Sequence, residues 1–504
     1  SDVALLTLEG NGMVGIPGFS KRLFDTLAAE KVNVILITQA SSEHSICVAV
    51  KSNDAQRAKA AVDGQFAFEI SLGKIDPVWA ENDLAIIAVI GDNMKNHQGI
   101  SGKMFSALGE NNVNIRAIAQ GASERNISAV LAAKDVKKAL NSLHYRFFER
   151  QVKTLNLFIV GVGNVGRRLL DQIERQQEYL YENLFLKVKV VGLSNSKKML
   201  FHEEGIDLSH WPQALEQGEN KDSEQWLSRI KELNLRNSIF VDITANAEVA
   251  RSYNRYLRES IAIIACNKIA CSSDYSNYEE LKRLSRKYNA PFLFETNVGA
   301  GLPIINTLNN LINSGDKVTS IKAVLSGSLN FIFNHFSKTT NFHDVVRQAG
   351  AEGYTEPDPR IDLSGVDVAR KILILARESG NEIDMEDIEN ISFLPKASSE
   401  ADSVADFFQT LQSEAAHFEA LLDKAEQNEA RLKYVAEFHN GKAKVSLQQI
   451  GKEHPFYNLD GKDNIVLFYT SRYADQPLIV KGAGAGAEVT ASGLFGDIIS
   501  LGKR

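Results

Sequence analysis

A short apolar run, Leu155 to Val160, leads directly into Gly161-Val162-Gly163-Asn164-Val165-Gly166 and then into a helical pattern, Arg167 to Gln176. No other stretch restricts the fold as tightly, because the spacing demands a strand that turns at once into a helix. The first glycine makes the turn, the second lets backbone approach a pyrophosphate, and the third allows close helix–strand packing. The first-turn N–H groups of Asn164, Val165 and Gly166 have no partner within the helix and suit an anion. The stretch therefore reads as the opening of a Rossmann dinucleotide-binding domain in an α/β sheet.

The strands that follow fit that sheet. Leu186 to Leu193 runs into Ser194-Asn195-Ser196-Lys197-Lys198, where an NAD-selective site places an acid on the ribose diol. No acid is present, and Ser194 and Lys197 suit a 2′-phosphate, so NADP is favoured over NAD. Arg167 and Lys197 read equally well as solvated surface charges. Ser238 to Ile243 runs into Thr244, and Ile261 to Cys266 runs into Asn267-Lys268. These strand ends lie where an open parallel sheet binds its ligand, which adds Thr244 and Lys268 to the cofactor-binding set.

The first third of the chain repeats itself. Sliding it by 81 positions aligns Met13 with Met94, Gly18 with Gly99, Ser20 with Ser101, Phe24 with Phe105, Gln39 with Gln120 and Ser42-Glu43 with Ser123-Glu124. Each copy reads as strand, amphipathic helix, two strands, helix and further strand-like sequence, a ferredoxin-like α+β domain of βαββαβ type. The segments LITQASSEHS and AIAQGASERN resemble the paired ACT domains of aspartate kinases, in particular the fused pair of bifunctional aspartokinase/homoserine dehydrogenases. That resemblance implies a threonine effector and gives Gln39 and Gln120 as its ligands. The alternative is that both glutamines cap strand ends and that the repeat is an assembly scaffold.

Downstream, Phe294-Glu295-Thr296-Asn297-Val298-Gly299-Ala300-Gly301-Leu302-Pro303 joins a strand to a helix. Alone it reads as a turn. Further on, Gly353-Tyr354-Thr355-Glu356-Pro357-Asp358-Pro359-Arg360 precedes Asp362-Leu363-Ser364-Gly365 and Asp367-Val368-Ala369-Arg370-Lys371. Asp367 and Lys371 share a helix face, which by itself describes a surface ion pair. The density of acids around one lysine instead suits a substrate carrying an ammonium and a reacting oxygen.

GYTEPDPR, DLSG and DVARK at this spacing resemble homoserine dehydrogenases. The resemblance implies reversible NAD(P)H-dependent reduction of aspartate 4-semialdehyde to homoserine, with Lys371 and Lys268 as catalytic lysines. Gly353, Tyr354, Glu356, Asp362 and Asp367 become the substrate-binding set. Glu295, Val298, Ala300 and Leu302 become ligands of a monovalent cation, Na+. Ile361 stands where many members have another Asp. Gly482 to Thr490 matches a segment that folds back to the cofactor, with Gly484 against a phosphate, although a plain turn also explains its glycines.

The resulting division is 1–80 and 81–150 for the ACT domains and 151–300 for the Rossmann domain, completed by 478–504. An α+β substrate and dimerisation domain takes 301–477. Residues 398–431 carry no assignable motif. The net charge of −7 argues against nucleic acid as a partner, and no apolar run reaches the roughly 20 residues of a membrane span. Three cysteines without a metal-site spacing favour a reducing cytoplasm. The chain starts in the first ACT strand, so it reads as part of a longer bifunctional protein without kinase activity of its own, assembled as a homo-oligomer. A non-catalytic amino-acid sensor built on a decayed dehydrogenase is the competing reading.

Overall fold

One strand serves both copies of the repeat. In the computed structural model, which describes residues 2–39, 43–91, 94, 98–120, 125–148 and 152–503, the first sheet is built from β1 (Val3–Glu9), β2 (Leu36–Gln39), β3 (Ser45–Lys51), β4 (Trp79–Ile90), β5 (Ile115–Ala119) and β6 (Asn126–Ala132). Their order is β2-β3-β1-β4-β6-β5. The start of β4 pairs with β1, placing Trp79 opposite Thr7, and its end pairs with β6, placing Ile90 opposite Asn126. Leu84 is partnered on both sides, by Val3 and by Ala132, and Asp83 beside it has φ 55°, a conformation that Asp tolerates better than most residues.

The first copy thus completes βαββαβ, whereas the second stops at βαββα after the helix Val136–Phe148. The next strand-like run, from Lys153, is apolar on both faces and belongs inside a parallel sheet, so it cannot also close the second copy. Alternation sorts the side chains: Ala4, Leu6 and Leu8 face the first copy's helices. On the other face Val3, Leu5, Leu36 and Ala49 share one cluster with Leu84, Ala117 and Val130 of the second copy. Within the repeat, Ser42, Ser123 and Glu124 lie outside the described residues.

Contacts divide the chain into two compact units, residues up to Val152 with Asn234–Arg236, and Lys153–Leu233 with Asn237 onward. In the second unit β7 (Lys153–Val160), β8 (Leu186–Ser194), β9 (Lys198–Phe201), β10 (Glu219–Asn220), β11 (Ser238–Asp242), β12 (Ala262–Ala265) and β13 (Phe292–Leu293) form a sheet of order β10-β9-β8-β7-β11-β12-β13. Strands β8, β7, β11, β12 and β13 run parallel, while β9 pairs antiparallel with β8 and β10 antiparallel with β9. The order reverses at β7 and β11, which opens the ligand crevice at their C-terminal ends.

The remaining strands, β14 (Val318–Val324), β15 (Ile388–Asn390), β16 (Arg431–His439), β17 (Lys442–Ile450), β18 (Asp463–Thr470) and β19 (Leu478–Ala483), make a third sheet ordered β15-β17-β16-β14-β18-β19. Of the returning segment 478–504, β19 therefore belongs to this sheet. The helix Ala487–Gly502 packs Ala491, Leu494, Ile498 and Leu501 into the core under β7 and β8. Residues 398–431 contain the helices Val404–Ser413 and Ala415–Gln427, anchored by buried Phe407, Leu411 and Phe418. Among the described residues no helix is long and apolar enough to cross a membrane.

Candidate active site

The three fingerprint glycines are glycine for three different reasons. Gly161 turns the chain at φ 100° and its N–H donates to the Ser194 carbonyl (2.8 Å). A Cβ on Gly166 would lie 2.3 Å from the Gly161 carbonyl oxygen, while one on Gly163 would meet no protein atom within 4 Å. Only the middle glycine faces open space, where a pyrophosphate would lie against the N-terminus of the helix Asn164–Leu184. Arg167 is the first residue to bond back, from its N–H to the Gly163 carbonyl (2.9 Å), which leaves the amides of Asn164, Val165 and Gly166 without a helical partner.

The other expected cofactor residues fare unequally. Lys197 is exposed in the β8–β9 turn. Ser194 is buried, and its hydroxyl donates to the carbonyls of Asn195 (3.1 Å) and Lys198 (3.2 Å), so it shapes the turn. Thr244 stands beside Gly161, its methyl 3.1 Å from where a Cβ would be. Gly484 is buried against the Asn464 side chain.

A fully buried residue absent from the sequence-predicted set, Asp242, closes the floor of the crevice. It accepts from the Tyr253 hydroxyl (2.7 Å), the Thr244 N–H (2.8 Å) and Asn267 Nδ2 (3.1 Å). Burial raises its carboxyl above the usual range, and these hydrogen bonds pull it partly back. Asn267 also donates to the Asn246 carbonyl (2.9 Å) and accepts the Ile269 N–H (3.1 Å), which fixes the residue between them, Lys268. The signal that could have found Asp242 is a lone acid within the otherwise apolar run Ile239–Ile243.

Lys268 reaches across to the second lysine. Lys371 lies on the helix Val366–Glu378, entered through Gly365 at φ 72°, where a Cβ would overlap the Tyr434 hydroxyl at 2.0 Å. Lys371 Nζ is 2.7 Å from Asp367 Oδ2, and Lys268 Nζ is 3.6 Å from Asp367 Oδ1. Burial pushes the Asp367 carboxyl up, but the two ammoniums outweigh it and hold the group well below the usual carboxylate range. Lys371 itself is buried and donates a further hydrogen bond to the Leu325 carbonyl (2.7 Å).

The acids of the preceding loop split by role. Asp362 accepts from Ser328 Oγ (3.0 Å) and from the Glu356 N–H (2.8 Å), so it ties the loop to the helix Gly327–His335. Glu356 has an exposed side chain. Asp358 caps the next short helix and is held by Arg360 (2.6 Å). Gly353 takes φ 75° and Tyr354 stacks on Phe331 at 4.1 Å, which anchors the loop from below.

Glu295 is buried, and its two carboxylate oxygens accept the N–H groups of Ile305 (2.7 Å) and Asn306 (2.8 Å) at the start of the helix Ile304–Asn313. The carbonyls of Val298 and Ala300, both buried residues, accept no hydrogen bond among the described residues, whereas that of Leu302 accepts from Ile304 N (2.8 Å). Buried carbonyls without donors are rare, and hard oxygens of this kind suit a cation.

In the first unit Gln39 ends β2 and is exposed, and Gln120 follows β5 and accepts from Ser101 Oγ (3.1 Å). Gly18 and Gly99 both enter their helices at positive φ, 99° and 84°, so the repeat extends to backbone conformation.

Family models described as homoserine dehydrogenase, as the NAD binding domain of homoserine dehydrogenase and as ACT domain match residues 303–499, 161–295, and 6–66 with 87–147. The chain is 40% identical over 504 residues to the chloroplastic bifunctional aspartokinase/homoserine dehydrogenase 1 of Arabidopsis thaliana, covering 99% of itself and 55% of that relative. It thus spans about half the length of that protein. It is 36% identical over 357 residues to the homoserine dehydrogenase of Schizosaccharomyces pombe, covering 69% of itself and 95% of the relative. A hyperthermophilic archaeal homoserine dehydrogenase solved in complex with NADPH is similar in structure, with TM-score 0.55 and 25% identity over 69% of this chain and 97% of that one.

Proposed function

The chain belongs to the homoserine dehydrogenase family, and on that premise we propose that it reduces aspartate 4-semialdehyde to homoserine with NADPH, reversibly, under control by threonine bound to the ACT domains. The observation that carries the reading is the pair of ammoniums on one carboxylate, Lys371 and Lys268 on Asp367. Asp367 Oδ2 and the Leu325 carbonyl take two of the three N–H donors of Lys371, which leaves one for a substrate oxygen.

The chemistry that a bound nicotinamide would supply is delivery of a hydride, a proton with two electrons, to the aldehyde carbon. As negative charge develops on the carbonyl oxygen, Lys371 Nζ holds the proton that this oxygen takes. Lys268, fixed by Asn267, lies on the other side of Asp367 and adds a second positive charge where the oxyanion forms. Asp367 holds both lysine side chains at the same carboxylate. The exposed carboxylate of Glu356, with Asp362 beneath it, is the acceptor for the substrate ammonium.

NADPH over NADH is supported by the absence of an acid at the end of β8 and by the exposed Lys197. The buried Glu295 with the carbonyls of Val298, Ala300 and Leu302 would hold the monovalent cation. There it would neutralise the carboxylate and stiffen the loop leading to the helix Ile304–Asn313. The three cysteines are unpaired, which supports a reducing compartment.

The test is oxidation of NADPH on addition of aspartate semialdehyde, with and without threonine. Lys371→Ala should lower kcat by at least 10²-fold and leave thermal unfolding near that of the unmodified chain. Turnover at the original rate in that variant would refute the assignment. Threonine binding to Gln39→Ala and Gln120→Ala, followed by calorimetry, tests the effector sites separately.

A further inference from the structure

The Leu325 carbonyl, just after β14, receives two donors. Lys371 Nζ is 2.7 Å away and Asn464 Nδ2 is 3.4 Å away, and a carbonyl oxygen has two lone pairs to offer. The same amide nitrogen reaches the Gly484 carbonyl at 3.5 Å. Asn464 is fully buried, and its Oδ1 has no partner among the described residues. Turning the amide over would set that oxygen against two carbonyl oxygens, so the orientation seen is the one the surroundings permit.

Gly484 explains itself through the same residue. Its φ lies outside the left-handed region, so its backbone does not call for glycine, yet a Cβ there would lie 2.0 Å from Asn464 Cγ and 2.2 Å from Nδ2. The position is glycine because Asn464 fills the space. β18 runs between β14 and β19, with Val324 opposite Ile465 and Asn464 opposite Gly482, which brings together the lysine's anchor and the segment leading to the last helix.

We propose that Asn464 is a positioning residue for Lys371: it fixes the Leu325 carbonyl, and through it the ammonium, so that the remaining N–H of the lysine faces the substrate, with Gly484 leaving the room it needs. The proposal rests on the reading of Lys371 as proton donor. The charged groups that face Lys371 are Asp367 on its own helix and Lys268 across that carboxylate. Neither fixes the Leu325 side of the ammonium.

The experiment measures kcat and the KM values for NADPH and aspartate semialdehyde across pH in Asn464→Ala, Asn464→Asp, Gly484→Ala and the Asn464→Ala/Gly484→Ala double variant, with Lys371→Ala as reference. Asn464→Ala and Gly484→Ala should each lower kcat by roughly 10- to 100-fold, the effect of misplacing a reacting group by about an ångström, with the KM for NADPH within about twofold. The double variant should be slower than Asn464→Ala by much less than the Gly484→Ala effect alone, because the Cγ and Nδ2 atoms that the added methyl would meet are gone and only the contact with Cβ, at 2.5 Å, remains. In Asn464→Asp the introduced carboxyl can donate to Leu325 only while protonated, so activity should fall with rising pH in a step that the unmodified chain lacks.

Asn464→Ala at full kcat while Lys371→Ala is inactive overturns the proposal and spares the lysine. Multiplicative effects in the double variant, or an Asn464→Asp profile superimposable on the original, overturn it as well. Full activity in Lys371→Ala removes the lysine's role and the proposal with it.

Discussion

Replacing Asp242 by alanine should destabilise the second unit and slow turnover together. Three donors aim at this carboxylate, and two of them, the Tyr253 hydroxyl and the Asn267 amide, are buried. A buried donor left unpaired costs about 1–3 kcal/mol. The Thr244 N–H is at a half-buried turn and can reach water, so it adds little. Removing an acid from the interior returns part of the cost, which leaves a net loss of about 2–4 kcal/mol.

At roughly 1–2 °C per kcal/mol for a unit of about 350 residues, the expected fall in Tm is about 2–8 °C. Calorimetry should follow the transition that NADPH shifts upward, since ligand binding marks the unit concerned. Burial pushes the Tyr253 phenol far above its usual value and so keeps it a donor, and Tyr253→Phe should show about 1 kcal/mol of the same loss.

The pH dependence has a definite sign. The Asp242 carboxyl is raised in the folded state, so its contribution is full below about pH 4 and is lost as pH rises through the folded value. The deficit of Asp242→Ala should therefore be largest in acid and shrink toward neutrality. A deficit that grows with pH, or a variant indistinguishable from the original chain, would refute the reasoning.

Other substitutions probe separate links. Gly166→Ala should abolish NADPH binding in a fluorescence titration and lower stability by about 1–3 kcal/mol, since the methyl meets a backbone carbonyl at 2.3 Å; Gly163→Ala should weaken binding and leave the fold unchanged. Lys197→Glu should raise the KM for NADPH by roughly tenfold or more, with that for NADH little altered. Lys433 is fully buried on Asn330, Asn334 and the Leu459 carbonyl, and burial pushes its ammonium down to about 8. Unfolding free energy should thus rise between about pH 8 and 10.5, by on the order of 3 kcal/mol, and Lys433→Met should remove that rise.

Much of the fold was legible because its signals are local. The glycine turn, the repeat and the acid-rich loop each lie within a stretch where side chains and backbone answer to near neighbours. Legibility failed where one stretch serves two structures. The strand Trp79–Ile90 closes one ACT copy and opens the next, and nothing in its alternation distinguishes the halves. Ser194 has the right chemistry for a ribose phosphate, but a tight turn draws its hydroxyl inward. Gly484 carries the motif of a phosphate loop and is glycine for the sake of Asn464.

From the order of residues alone came the residue types at the site, the α/β and α+β classes of the parts, and the pairing of Asp367 with Lys371 one helical turn apart. The tertiary structure alone decided which groups share a charge or a lone pair: Lys268 with Asp367, Asp242 with Tyr253 and Asn267, and Asn464 with the carbonyl that holds Lys371. Leu325 and Asn464 are 139 residues apart. Over such separations the chain sets no distance, and only packing of strands against helices brings a donor within reach of its acceptor.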